Sequence, residues 1–109
     1  MSWIETDINT LHSLGDRVVV DVREQDEYTS GHIPGAINVP LSQLMDSLQS
    51  IPTATTVHVV CQVGGRSARA CEFLSQQDQF SSTQFVNVVG GTGAWILEGH
   101  DVVVGNEPH

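Results

Sequence analysis

The sequence predicts an α/β domain with a largely parallel sheet. Apolar, β-branched runs alternate with stretches of helical spacing along the chain, joined by short Gly- and Pro-bearing turns. Asp21, Cys61 and Gly90 each fall just past the end of such a run. Open α/β sheets place their sites beyond the carboxyl ends of the strands.

Each element has its own signal. Trp3 to Leu14 carries Ile4, Ile8 and Leu11 at helical spacing. Arg17 to Val22 reads as a buried strand, and Glu24 to Thr29 as an acidic helical turn. Gly31-His32-Ile33-Pro34-Gly35 is a turn cluster, followed by a short strand over Ala36 to Val39 that Pro40 ends. Ser42 can cap a helix over Gln43 to Leu48. Thr56 to Val60 is the central strand, and Ser67 to Gln76 a helix with Ala70, Phe73 and Leu74 on one face. Gln84 to Val89 is another strand. Gly90-Gly91-Thr92-Gly93 leads into a short helix over Ala94 to Glu98, and Asp101 to Val104 is a last extended piece.

The 109 residues suit one domain over 1–109, with an apolar fraction sufficient for a core. No run is long enough for a membrane span, and the opening residues lack the pattern of a signal peptide. Two cysteines without a disulfide framework suggest a reducing, cytoplasmic setting. The formal net charge is -9 and there is no lysine, so nucleic acid and anionic membrane are poor partners. Two of the four arginines, Arg66 and Arg69, follow Cys61 within nine residues.

Cys61 is the candidate nucleophile. It heads Cys61-Gln62-Val63-Gly64-Gly65-Arg66-Ser67, directly after the central strand and before a helix. The first N–H groups of a helix lack partners within it, and the aligned peptide dipoles add positive potential there. Glycine lets successive N–H groups converge on an anion. A free cysteine has a pKa of about 8.5, so roughly 3% is thiolate at neutral pH. One or two charge-assisted hydrogen bonds, at about 1.5–3 kcal/mol each, suffice to lower that value by two units. The histidines show no zinc-site spacing, and no metal or organic cofactor is expected.

Further residues complete a pattern. Asp21-Val22-Arg23, Glu27-Tyr28, Gly31-His32-Ile33-Pro34-Gly35-Ala36, Asn38-Val39-Pro40, the Cys61–Ser67 loop, and Gly90-Gly91 with Trp95 and Gly99 occur in that order. Together they resemble a single-domain rhodanese, a sulfurtransferase, over roughly residues 15–104. The resemblance implies a three-layer domain with a five-stranded, mostly parallel sheet flanked by helices. It implies double displacement: the Cys61 thiolate takes a sulfane sulfur from thiosulfate or a persulfide, then passes it to cyanide or a thiol. The partners would be these small molecules or a protein donor or acceptor. In this pattern Gln62, Val63, Gly64, Gly65, Arg66 and Ser67 form the loop that binds substrate and persulfide. Arg66 either touches substrate or braces the loop, and Ser67 doubles as a helix cap.

Other residues read more simply. Cys71, among Ala70, Phe73 and Leu74, reads as core rather than as a resolving thiol. The resemblance gives Asp21 and Arg23 the task of tying the first strand end to neighbouring loops. His32 fixes loop backbone, and Trp95 packs in the core. Gly90, Gly91 and Gly93 lack the lysine and serine of a nucleotide loop. Gln62 and Val63 are neutral and Glu27 is acidic where better-studied relatives are more basic, which weakens the field for a dianion such as thiosulfate. The alternatives are a sulfur relay, a non-catalytic interaction module, and a phosphatase or arsenate reductase. The four residues between Cys61 and Arg66 disfavour the last, because they enclose too little space for a tetrahedral oxyanion.

Overall fold

Strand β4 (Thr56–Val60) is the middle of the sheet, and its composition explains why. Val57, Val59 and Val60 have no exposed surface, so both faces of the strand are covered. The computed structural model describes residues 2–109. Its other strands are β1 (Ile4–Asp7), β2 (Val19–Asp21), β3 (Ile37–Asn38) and β5 (Gln84–Val89). They pair in the order β1-β5-β4-β2-β3, and every pairing is parallel. Helices α1 (Ile8–Ser13), α2 (Gln25–Ser30), α3 (Gly65–Leu74) and α4 (Gly91–Leu97) cover the two faces.

Alternation along the strands splits the core in two. Val20, Val57, Val59 and Phe85 join Ala70, Cys71 and Leu74 of α3 in one buried cluster. Val19, Val60 and Val88 join Ile8, Leu11, Tyr28 and Trp95 in the other. The period of two carries Cys61, which follows β4, onto the α3 side with Val57 and Val59.

Two sequence expectations give way. The helical spacing from Trp3 to Leu14 produces a helix only from Ile8; Ile4–Asp7 instead extends the sheet beside β5, in register from Ile4 opposite Val86 to Asp7 opposite Val89. Pairing covers a sheet edge that would otherwise be bare, and it outweighs local periodicity. The carboxylate of Asp7 then accepts from Thr10 N–H and caps α1. No α-helix spans Gln43 to Leu48. Two 3-10 turns, Leu41–Asp46 and Leu48–Ser50, take its place. The Leu41 N–H donates to Val22 O, which ties the segment to the end of β2, and the Ser42 hydroxyl donates to Glu24 instead of capping.

The remaining differences lie at boundaries. α3 begins at Gly65, capped by Gly64 at φ 122°, so Ser67 lies inside the helix. α4 begins at Gly91, and the piece from Asp101 to Val104 pairs only as a single antiparallel bridge between Val103 and His32. Among the described residues, no helix is long and apolar enough to cross a membrane.

Gly91 is where the fold presses on the Cys61 loop. A Cβ there, at φ 60°, would stand 2.2 Å from the Cys61 carbonyl oxygen and 2.7 Å from that of Gln62. Gly91→Ala is therefore expected to cost about 3 kcal/mol, and to lower the melting temperature by roughly 12 °C or more. Gly65→Ala meets no atom within 4 Å and should melt within about 0.5 kcal/mol of the parent. A Gly91→Ala melting curve matching the parent's would contradict this packing.

Candidate active site

Strand β4 delivers Cys61 to the carboxyl edge of the sheet, and α3 begins four residues later. Gly64 makes the turn between them. With its φ of 122°, its N–H donates to Cys61 Sγ at 3.1 Å while its carbonyl accepts from Ala68 N–H. Opposite it, the Ser67 hydroxyl stands 3.3 Å from the same sulfur. α4 braces the loop from behind: Thr92 and Gly93 N–H donate to the Cys61 and Gln62 carbonyls, and Gly90 N–H to that of Val63.

Burial alone would push the Cys61 thiol up. The Ser67 hydroxyl and the N–H groups of Ser67, Gly64 and Val63 outweigh it and hold the thiol below the usual cysteine range. Cys71 has no such donors, and burial pushes it up to about 12. It packs among Ala70 and Leu74 as an inert core residue.

The loop residues do different jobs. The Gln62 side chain turns to Arg23, whose Nη1 donates to it at 3.2 Å. Val63 is 72% exposed, and Gly65 is exposed as well. Cys61 itself has no exposed surface. The sulfur is thus hydrogen-bonded by Gly64 N–H but covered. Arg66 is held by Glu27, with Nη1 and Nη2 at 2.7 and 2.9 Å from the two carboxylate oxygens. The Arg66 hydrogen bonds hold the Glu27 carboxyl at about 2, so the pair is ionised throughout the neutral range. Glu27 also accepts from Glu24 N–H in the capping box that starts α2. Arg69 is exposed.

Asp21 and Arg23 form a buried pair at 2.9 Å. Arg23 also donates to Gly31 O, so the end of β2 is tied both to the turn after α2 and to Gln62. His32 is fully buried, its ring nitrogens 2.9 and 2.8 Å from the carbonyls of Tyr28 and Glu107, and it holds backbone as expected. Trp95 is core, with its N–H on Asp101 O. A cleft of about 590 Å³ lies between α2, β3 and the C-terminal segment, but Cys61 does not line it. Its Gln25 and Asn38 side chains are already hydrogen-bonded.

Sequence reasoning passed over Asn87. It lies in β5, 2% exposed, with its Oδ1 2.5 Å from the Ser67 hydroxyl and its Nδ2 on Gly64 O. The available signal was an amide inside the apolar run Phe85-Val86-Asn87-Val88-Val89. A buried strand position holds an amide only where partners await it.

Comparison with known proteins identifies the family of the domain. The Rhodanese-like domain family matches residues 5–98. A protein of Allochromatium vinosum named Sulfurtransferase is 33% identical over 88 residues, covering 81% of this chain and 79% of its own length. Uncharacterized protein YqhL of Bacillus subtilis is 40% identical over 77 residues, which cover 71% of this chain; the match spans only 59% of YqhL. The crystal structure of a rhodanese-related protein from Thermoplasma volcanium superposes with a TM-score of 0.77 at 33% identity, covering 96% of this chain and 100% of that one.

The Ser67 hydroxyl is the most replaceable of the sulfur's donors. Ser67→Ala is expected to reduce the thiolate fraction of Cys61 at neutral pH by about tenfold, the loss of one charge-assisted hydrogen bond. The ultraviolet absorbance of the thiolate, followed against pH, measures it, and Cys71 stays silent over that range. An unchanged midpoint would mean that the hydroxyl does not support the anion.

Proposed function

Because this chain belongs to the rhodanese-like domain family, we propose that it is a sulfurtransferase that carries sulfur on Cys61. The observation that carries the reading is the pair of donors, Gly64 N–H and Ser67 O–H, on a sulfur whose pKa they lower. The thiolate attacks the outer sulfur of a donor. The bond between that sulfur and its carrier breaks, and the carrier leaves with the electron pair, as sulfite from thiosulfate or as a thiol from a persulfide. A persulfide remains on Cys61. An acceptor thiolate or cyanide then takes the outer sulfur and regenerates the Cys61 thiolate. Splitting the transfer in two gives ping-pong kinetics. The donors that favour the thiolate also favour the anionic persulfide, so one arrangement serves both halves. With the thiol covered at rest, the residues around it must shift before a donor reaches it.

The Arg66–Glu27 pair bears on the donor. An arginine neutralised by a carboxylate offers little field to a dianion, and Arg23 is likewise bound to Asp21. This arrangement favours a persulfide on a small thiol or on a partner protein over thiosulfate. It also disfavours phosphoryl chemistry, which needs an arginine free to clamp oxyanion charge.

Intact mass after incubation with a persulfide donor is expected to rise by one sulfur atom, to return on adding cyanide or thiol, and not to rise in Cys61→Ser. Sulfur uptake by Cys61→Ser equal to the parent's would remove the proposal. Glu27→Gln releases Arg66, and kcat/KM for thiosulfate is expected to rise about three- to tenfold at low salt, with little change for an uncharged persulfide donor. No rise with thiosulfate would show that the pair does not govern donor choice.

A further inference from the structure

We propose that Asn87 is a positioning residue that decides where the Ser67 hydroxyl sends its proton, and so acts as a brake on ionisation of Cys61. The β4–β5 register sets Asn87 beside Val59, two residues before Cys61. Its amide has a single workable orientation. Nδ2 faces Gly64 O and the Glu5 carboxylate, each at 3.2 Å, and neither backbone carbonyl nor carboxylate can donate. Oδ1 is therefore turned to Ser67, where it accepts at 2.5 Å.

Ser67 has one hydroxyl proton and three neighbours able to take it: Asn87 Oδ1, Gly64 O at 3.2 Å and Cys61 Sγ at 3.3 Å. While Cys61 is a thiol, its S–H donates to Ser67 Oγ, whose O–H donates to Asn87. Every group is then satisfied. When the thiol proton leaves to a base in solvent, the sulfur needs a donor and the Ser67 O–H swings to it. The Asn87 carbonyl loses its partner in a site with almost no exposed surface, which costs free energy. Asn87 thus favours the resting thiol, and the same amide latches the loop through Gly64 O.

The inference rests on Cys61 being the reacting thiol, but ionisation can be read without any sulfur transfer. In Asn87→Leu, similar in shape and without the acceptor, the thiolate fraction at neutral pH is expected to rise about two- to tenfold, the size of one neutral hydrogen bond. In the Ser67→Ala background the same substitution should have no such effect. A purely structural role predicts the opposite sign, because losing the tie on Gly64 O moves its N–H off the sulfur. A thiolate fraction that falls or stays unchanged in Asn87→Leu overturns the proposal, as does a rise that persists without Ser67.

Should Asn87→Leu fail to fold, the parent chain answers by nuclear magnetic resonance. The Asn87 side-chain carbonyl carbon is expected to shift with the midpoint of Cys61 as it loses its donor, and to lose most of that shift in Ser67→Ala. A carbonyl signal indifferent to the Cys61 titration overturns it. If Cys61 takes up no sulfur at all, the sulfurtransferase reading fails while the ionisation result stands.

Discussion

A charged sulfur with no exposed surface must find its solvation inside the protein, and much of this fold serves that need. Cys61 is covered, so water cannot stabilise its anion at rest. The compensating donors are a backbone N–H at Gly64 and a hydroxyl at Ser67, held at 3.1 and 3.3 Å. Both are fixed by larger features: Gly64 by its left-handed turn, Ser67 by its place in the first turn of α3. α4 adds the rear wall, pressing Gly91 so close to the Cys61 and Gln62 carbonyls that no side chain fits between. The Cys61 loop is thus held by strand, helix and glycine.

Charge is handled differently. The chain is acidic, and two of its four arginines are occupied beside the loop, Arg66 by Glu27 and Arg23, which also reaches Gln62, by Asp21. Their hydrogen bonds link separate segments: Arg23 joins β2, Gln62 and Gly31, while Arg66 joins α3 to α2. They contribute order more than free positive charge. The sulfur therefore depends on aligned neutral donors, which act at short range and lose little to salt. A hydroxyl shared between the sulfur and Asn87 makes the balance between thiol and thiolate a matter of one proton's direction.

Most of the fold was legible along the chain, for identifiable reasons. The bounds of Thr56–Val60 and Gln84–Val89 emerged intact because central strands are rich in apolar, β-branched residues between clear breakers. The amino-terminal strand did not, because Ile4, Ile8 and Leu11 satisfy a helical spacing whether or not a sheet edge waits nearby. The segment after Pro40 did not either, since its backbone is tied to Val22, a partner nineteen residues away from Leu41. At the site, Cys61 and its glycines announced themselves by spacing. Asn87 stood in the open as one amide among valines, without a neighbour in sequence to show its purpose.

By itself the sequence determined the α/β class, the central strand, the position of Cys61 at that strand's carboxyl end and the glycines that let the chain turn around its sulfur. These are local properties, carried by side-chain size, alternation and backbone freedom within a few residues. Only the tertiary structure decided that Arg66 would be taken by Glu27, that Asn87 would reach Ser67, and that the thiol would lie covered. Those outcomes join residues twenty to thirty-nine positions apart. Hydrogen bonds and burial depend on distances that exist only once parallel strands have brought separate segments to one edge of the sheet.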